Sequence, residues 1–367
     1  MAIPKVLRNI IRPSVLDLGA YTPSDSIESV AAALNCSVDD VIKLDTNENP
    51  YGTSIRVQEA LASLDQYHRY PDNDQRVARE RIAEYSGAPV ERIIMGNGAD
   101  ELIDLVLLAT IDPGDEVIIP IPTFGVYAQR PPLLNGVSRL VERKPDFDLD
   151  LDAIDAAIND RTKVIFITSP NNPTGNMVTQ QQLVHLLRTG ILVVVDEAYF
   201  EFSTKTLLPY TTEFDNMVVL RTFSKWSGLA GLRVGYGIFP PALAEQIWKV
   251  KQPFNVSVAA LKAVEAVLDD ATYLQESVRR IRVERGRLYR SLRKLNFLQP
   301  FPSHGNYILC RITRGDAHDI RRRLARRGIL IRHYNSPDLR DCLRVTVGKP
   351  EETDALLVAL REIAEDL

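Results

Sequence analysis

The chain is poor in cysteine and histidine and has no long apolar run. Cys36, Cys310 and Cys342 are its only cysteines. They are odd in number and far apart, which excludes a disulfide framework and a structural zinc site and indicates a reducing compartment. Five histidines, none with HExxH-type spacing, argue against a metal enzyme. No stretch reaches the roughly 18 apolar residues of a membrane span. The opening MAIPKVLRNIIRPSV lacks the apolar core and small-residue cleavage site of a signal peptide, so a cytoplasmic protein is expected. Excess charge is missing too. Forty-four Lys and Arg against 48 Asp and Glu leave a net charge of −4, which gives no general attraction to nucleic acid or anionic membrane.

What is present reads as a globular enzyme. The 367 residues are 45% hydrophobic and 25% charged, and that length favours two domains. The middle of the chain alternates. ERIIM, DEVIIPI, TKVIFIT, ILVVVDEAY, NMVVLRTF and RVGYGIF read as strands, while ELIDLVLLAT and TQQQLVHLLRTG read as helices. Continuous Val/Ile/Leu runs between helices predict an α/β fold with a mostly parallel sheet covered on both faces. Beyond about residue 255 the texture becomes that of a smaller α+β unit. Its Arg-rich stretch YLQESVRRIRVERGRLYRSLRKL carries interleaved acids such as Glu276 and Glu284, the pattern of a solvated helix face rather than a nucleic-acid contact. The expected division is residues 1–40 as an arm and part of the small domain, 41–255 as a large cofactor-binding domain, and 256–367 as the small C-terminal domain.

Three strand ends carry unusual residues. TKVIFIT leads to Asn172 in SPNNPTG, ILVVVD ends on Asp196 with Tyr199 three residues later, and NMVVLRTF leads to Lys225. In open α/β sheets ligands sit beyond the carboxyl ends of the strands. A carboxylate closing an apolar strand is costly without a facing cation. A lysine buried nearby has its pKa lowered and becomes nucleophilic. Acid, phenol, amide and amine together suit pyridoxal 5'-phosphate: the amine bonds the aldehyde, the acid faces the ring nitrogen, and the phenol and amide face the ring oxygen. The turn in MGNGADELIDL puts Gly98, Ala99 and Asp100 at a helix start, where free N–H groups attract a phosphate. Thr222, Ser224 and Arg233 flank the lysine and complete that cradle. Asp100 is placed there through its backbone N–H, with its carboxylate complementing the helix dipole.

The ordered set SPNNPTG, DEAY, RTFSK, GLAGLR and CLRVTVG resembles the aspartate-aminotransferase-like, fold-type I pyridoxal-phosphate enzymes. DTNENPYG, HRYPD and GNGADELID make the histidinol-phosphate aminotransferases the most similar subgroup. The resemblance runs from about Arg12 to about Glu351. It implies a seven-stranded-type sheet in the large domain and Lys225 as the Schiff-base lysine and proton shuttle. It also implies Asp196 as the pyridine-nitrogen partner, with Tyr199 and Asn172 on the ring hydroxyl. Phe124 in PTFGVY takes the ring-stacking place. Tyr70 in RYPD matches a tyrosine that reaches the phosphate from a partner subunit, which implies a homodimer with shared active sites. Arg344 and Arg332 match substrate-anion arginines, and Tyr21 and Asn172 further substrate contacts. The implied reaction passes an amino group from L-histidinol phosphate to 2-oxoglutarate, in histidine biosynthesis. An aromatic amino-acid aminotransferase and a threonine-phosphate decarboxylase share much of this pattern. A remoter reading takes GNGADE as a dinucleotide-binding turn with Asp115 on a ribose, but Glu101 stands where the third glycine belongs.

Overall fold

The computed structural model describes residues 3–16, 18–19 and 26–367. Twelve strands occur among them: β1 Ile42–Leu44, β2 Ile93–Gly96, β3 Glu116–Ile121, β4 Val137–Glu142, β5 Thr162–Thr168, β6 Leu192–Asp196, β7 Met217–Thr222, β8 Gly235–Ile238, β9 Leu298–Pro300, β10 Tyr307–Ile312, β11 Ile329–His333 and β12 Cys342–Thr346. They form a seven-stranded sheet in the order β2-β8-β7-β6-β5-β3-β4 and a five-stranded sheet in the order β1-β11-β12-β10-β9.

The large sheet is parallel from β4 through β7. Only β8 runs the other way, against both β7 and β2. Strands β5, β6 and β7 are buried on both faces, which is why their sequences show no polar alternation. Their side chains nevertheless sort by pleat. Val194, Val218 and Leu220 pack with the helix Ala99–Thr110 on one face. Val193, Val195 and Val219 pack with Val264 of Val258–Leu268 and Leu183 of Gln180–Leu187 on the other. Each such buried aliphatic side chain stabilises the fold by about 1.5–3 kcal/mol. Strand β4 is absent from the six strands read in the sequence. It is an edge strand whose only buried residue is Val141, so it carries no continuous apolar run.

The small sheet is antiparallel except where β1 joins β11 in parallel. Residues 42–44 therefore pair within the small sheet although they lie in the 41–255 stretch. Val258–Leu268, on the 256–367 side, packs against Ile55–Ala62 and Arg76–Ser86. The Arg-rich helix Ala271–Leu292 neutralises itself along its own turns: Glu276 holds Arg279 and Arg280, and Glu284 holds Arg287. No described helix is long and apolar enough to cross a membrane.

Two relationships position the site. Thr168, Asp196 and Leu220 are in register across β5, β6 and β7, which aligns three strand ends. The small sheet reaches that edge through Asn47. Its N–H donates to Thr346 Oγ1 at 3.0 Å, and its Oδ1 accepts from the same hydroxyl at 3.0 Å. Its carbonyl accepts from Asn306 Nδ2 at 3.0 Å.

Candidate active site

Asp196 closes β6 with its side chain buried. One carboxylate oxygen accepts from the Tyr127 hydroxyl, and the other from the Ala198 N–H at 2.8 Å. Tyr127 is itself fully buried, stacked on Phe166 with ring centroids 4.8 Å apart and edge-on to Phe124 at 5.6 Å. Burial pushes the Asp196 carboxyl up to about 6, despite those two donors. No described residue forms an ion pair with it. This is an acid held ready for a cation that none of the described residues provides.

Lys225 lies three residues past the end of β7. Its Nζ donates to the Thr46 carbonyl at 3.0 Å and stands 6.0 Å from the centroid of the Tyr199 ring. Burial and then the Arg344 guanidinium bring the amine down to about 8, with Glu48 and Asp100 acting in the opposite direction. A fraction of the amine is therefore neutral near physiological pH, as a nucleophile and proton carrier requires.

The turn between β2 and Ala99–Thr110 forms the anion side of the site. Gly98 caps the helix at φ +79°, a conformation that side chains with a Cβ rarely adopt. A Cβ there would also stand 2.7 Å from Arg233 Nη2. Arg233 Nη2 binds Asp100 Oδ2 at 2.9 Å, so the Asp100 carboxylate is neutralised by the arginine beside it. The Thr222 hydroxyl accepts from the Ser224 N–H at 3.1 Å and donates to Ser224 Oγ at 3.0 Å. At Gly235 in β8, an added Cβ would lie 2.8 Å from both Ala99 N and the Arg221 carbonyl. The close packing of these two backbones brings the helix start against β7.

On the opposite side, the Tyr199 hydroxyl accepts from Asn47 Nδ2 at 3.0 Å, and its ring packs edge-on against Tyr307 at 5.0 Å. Burial pushes this phenol up to about 12, with Arg344 and Asn47 opposing. Arg344 is buried. Its Nη1 donates to Asn172 Oδ1 at 2.6 Å, its Nη2 to the Asp45 carbonyl at 2.5 Å, and it faces the Tyr307 ring at 5.6 Å. Arg332 is its cross-strand partner on β11 and stands 5.9 Å from the Tyr334 ring.

The structure thus gathers Lys225, Asp196, Tyr199, Asn172, Phe124 and Arg344 at the strand ends, and Gly98, Ala99, Asp100, Thr222, Ser224 and Arg233 around one turn. Tyr70 is not gathered within this chain: it is 81% exposed and stacks on Phe254 with centroids 4.6 Å apart. Tyr21 lies outside the described residues. Asp115, the ribose candidate of the dinucleotide reading, precedes the amino end of β3, far from the strand ends that gather the site, and faces Lys163 at 3.8 Å. Two participants escaped the sequence reading. Tyr127 sits three residues after Phe124 in PTFGVY, a spacing that puts it one helical turn further along, in Val126–Gln129. Asn47 sits in DTNENPYG at φ +58°, and an asparagine cluster in a loop was its only signal.

Comparison with known proteins bears on this geometry. The model of the family "Aminotransferase class I and II" matches residues 39–360. Histidinol-phosphate aminotransferase of Dehalococcoides mccartyi is 46% identical over 325 residues, covering 89% of this chain and 91% of its own. The chloroplastic histidinol-phosphate aminotransferase 1 of Arabidopsis thaliana is 44% identical over 358 residues, covering 96% of this chain and 86% of its own. Among solved structures, histidinol-phosphate aminotransferase from Sinorhizobium meliloti in complex with pyridoxal 5'-phosphate superposes with a TM-score of 0.87. Its identity is 25%, and the match covers 97% of this chain and 98% of that one.

Proposed function

The chain belongs to the class I and II aminotransferase family, and on that premise we propose that it is a pyridoxal-phosphate-dependent aminotransferase. It moves an amino group from L-histidinol phosphate to 2-oxoglutarate, giving imidazole acetol phosphate and L-glutamate. The cofactor fits three features of this chain. Asp196 is a buried acid without a cationic partner among the described residues. Lys225 is an amine brought down to about 8. The Gly98 turn is a cradle that a Cβ would fill. When bound, the cofactor supplies an electron sink for the carbanion formed at the substrate Cα.

The chain's own groups do the rest. With the cofactor bound, Lys225 Nζ would accept and carry the proton released from the substrate Cα. Asp196 holds the proton on the ring nitrogen, and Tyr127 and the Ala198 N–H fix the orientation of its carboxylate. Tyr199, held by Asn47, and Asn172, whose Oδ1 is occupied by Arg344, hold the ring oxygen. Phe124 packs against the ring. The N–H groups of Gly98, Ala99 and Asp100, with Thr222, Ser224 and Arg233, hold the phosphate.

The observation that carries the substrate is the cross-strand pair Arg332 and Arg344. Two guanidinium groups suit a phosphate dianion better than a single carboxylate. Tyr21 is proposed to close the site over the substrate. Tyr70, exposed on this chain, is proposed to serve the phosphate of a second copy, so that a homodimer has two shared sites. Three free cysteines support a cytoplasmic setting. The domain division near residues 41 and 255 is likewise proposed, with β1 given to the small unit.

The test compares kcat/KM for histidinol phosphate, phenylalanine, tyrosine and threonine phosphate, with 2-oxoglutarate as acceptor. Histidinol phosphate should lead by a wide margin. An aromatic amino acid in first place, or CO₂ released from threonine phosphate, overturns the substrate and leaves the cofactor chemistry standing.

A further inference from the structure

Two carboxylates, Asp100 and Glu101, stand in the first turn of the helix proposed to hold a phosphate. Asp100 is neutralised by Arg233. Glu101 has a different arrangement. Its Oε2 reaches back to accept from the Asn97 N–H at 2.5 Å and from Asn255 Nδ2 at 2.7 Å. Asn255 is itself fully engaged: Nδ2 also donates to the Met95 carbonyl at 3.2 Å, and Oδ1 accepts from Gln75 Nε2 at 2.7 Å and Lys251 Nζ at 2.9 Å. Gln75 is buried in the left-handed region at φ +51°. The neighbouring Phe254 is also left-handed, at φ +55°, and its N–H donates to Asn73 Oδ1 at 3.2 Å.

The consequence is a division of the turn's donors. The Asn97 N–H is taken by Glu101, whereas no side chain among the described residues accepts from the N–H of Gly98, Ala99 or Asp100. Glu101 sits at the third helical position, and its carboxylate takes the N–H of Asn97, the residue before the N-cap Gly98, which leaves the N-cap N–H itself free of side-chain acceptors among the described residues and fixes the path of the loop before the cap. It selects which N–H groups point outward. The Asn255 amide fixes the direction of the carboxylate and ties it to the 70–75 and 251–255 segments, which carry the Tyr70–Phe254 stack.

We propose that Glu101, oriented by Asn255, is a positioning residue that shapes the turn for a phosphate monoester. This rests on the cofactor reading above. The role is geometric and runs against the charge: a carboxylate near a phosphate repels it, so charge alone predicts tighter binding once Glu101 is removed.

The full-length apoprotein, titrated with pyridoxal 5'-phosphate and separately with pyridoxal, tests this. Both probes offer the same aldehyde to Lys225, so the ratio of their dissociation constants isolates the phosphate. E101A should weaken pyridoxal 5'-phosphate on the order of 10-fold, the scale of its lost bond to the Asn97 N–H, and leave pyridoxal nearly unchanged. E101Q, which keeps an acceptor for Asn97, should restore most of the wild-type ratio. A wild-type or improved ratio in E101A overturns the proposal, as does an equal loss of both probes. If E101A does not fold, N255A, which removes one of the two donors on Glu101, carries the same comparison with a smaller selective loss and the same overturning results. Wild-type protein that holds pyridoxal 5'-phosphate no better than pyridoxal removes the cofactor reading instead, before any variant is made.

Discussion

Arg344 stands directly opposite Arg332 on the antiparallel strands β12 and β11. Side chains so paired share one face of the sheet, and like charges in that arrangement destabilise it. Arg344 adds a second cost, since its Nε is buried without a hydrogen-bond partner among the described residues. Its other nitrogens are turned to Asn172 and to the Asp45 carbonyl, so it also joins the small sheet to the loop after β5. Two guanidinium groups on one face of the sheet suit an anion that arrives between them.

The two arginines should separate the two half-reactions. Arg332→Gln is expected to lower kcat/KM for histidinol phosphate far more than for glutamate, because a carboxylate is served by one guanidinium. Arg344→Gln should lower both. Each loss should cost about 2–5 kcal/mol in transition-state binding, the range for removing one partner of a buried charge pair. Steady-state kinetics of both half-reactions decide the matter, and equal damage to both by Arg332→Gln would refute the split.

Asp196 exchanges stability for chemistry. Moving a carboxyl from its usual 3.8 to about 6 corresponds to about 3 kcal/mol. Because the folded-state value lies above the unfolded one, this group's stabilising contribution is complete below about pH 4 and is lost as pH rises through about 6. Asp196→Asn should therefore leave the apoprotein more stable than wild type at pH 7.5, with the advantage shrinking toward pH 4. The same change should cut single-turnover transamination on the order of 10³-fold, the scale for losing one preorganised electrostatic contact. Urea denaturation at several pH values, beside single-turnover kinetics, measures both halves.

Lys225 should show its lowered pKa directly. The neutral amine grows as pH rises through about 8, so the rate at which apoprotein captures pyridoxal phosphate should climb from pH 7 to pH 9 and then level. Lys225→Ala should abolish turnover while retaining non-covalent cofactor. Borohydride reduction followed by peptide mapping should label Lys225 alone in the wild type. A label on another lysine would contradict the assignment.

Tyr70 gives the oligomer a chemical test. Tyr70 is 81% exposed and stacks on Phe254. If it serves a neighbour's phosphate, mixing an inactive Tyr70→Ala chain with an inactive Lys225→Ala chain should restore part of the activity. Some mixed dimers then own one complete site. A monomer in sedimentation at working concentration would end this reading.

The sequence by itself determined the strands that carry the site and the residues at their ends. Apolar runs such as ILVVVD are unambiguous because both faces of β6 are buried, and a polar residue closing such a run stands out at once. Asp196, Lys225, Asn172 and the Gly98 turn were legible for that reason. The edge strand β4 was not, since exposure on most of its length removes the pattern that would mark it. Tertiary structure alone decided which distant residues hold those strand ends in place. Asn47 meets Tyr199 and Thr346 across 152 and 299 positions. Tyr127 becomes the partner of Asp196 only once Val126–Gln129 is seated beside β4, and Arg332 faces Arg344 only through the β11–β12 register. The physical reason is that hydrophobic periodicity encodes local conformation, whereas a hydrogen bond between side chains leaves no periodic trace. It exists only after apolar burial has fixed the register that brings its donor and acceptor together.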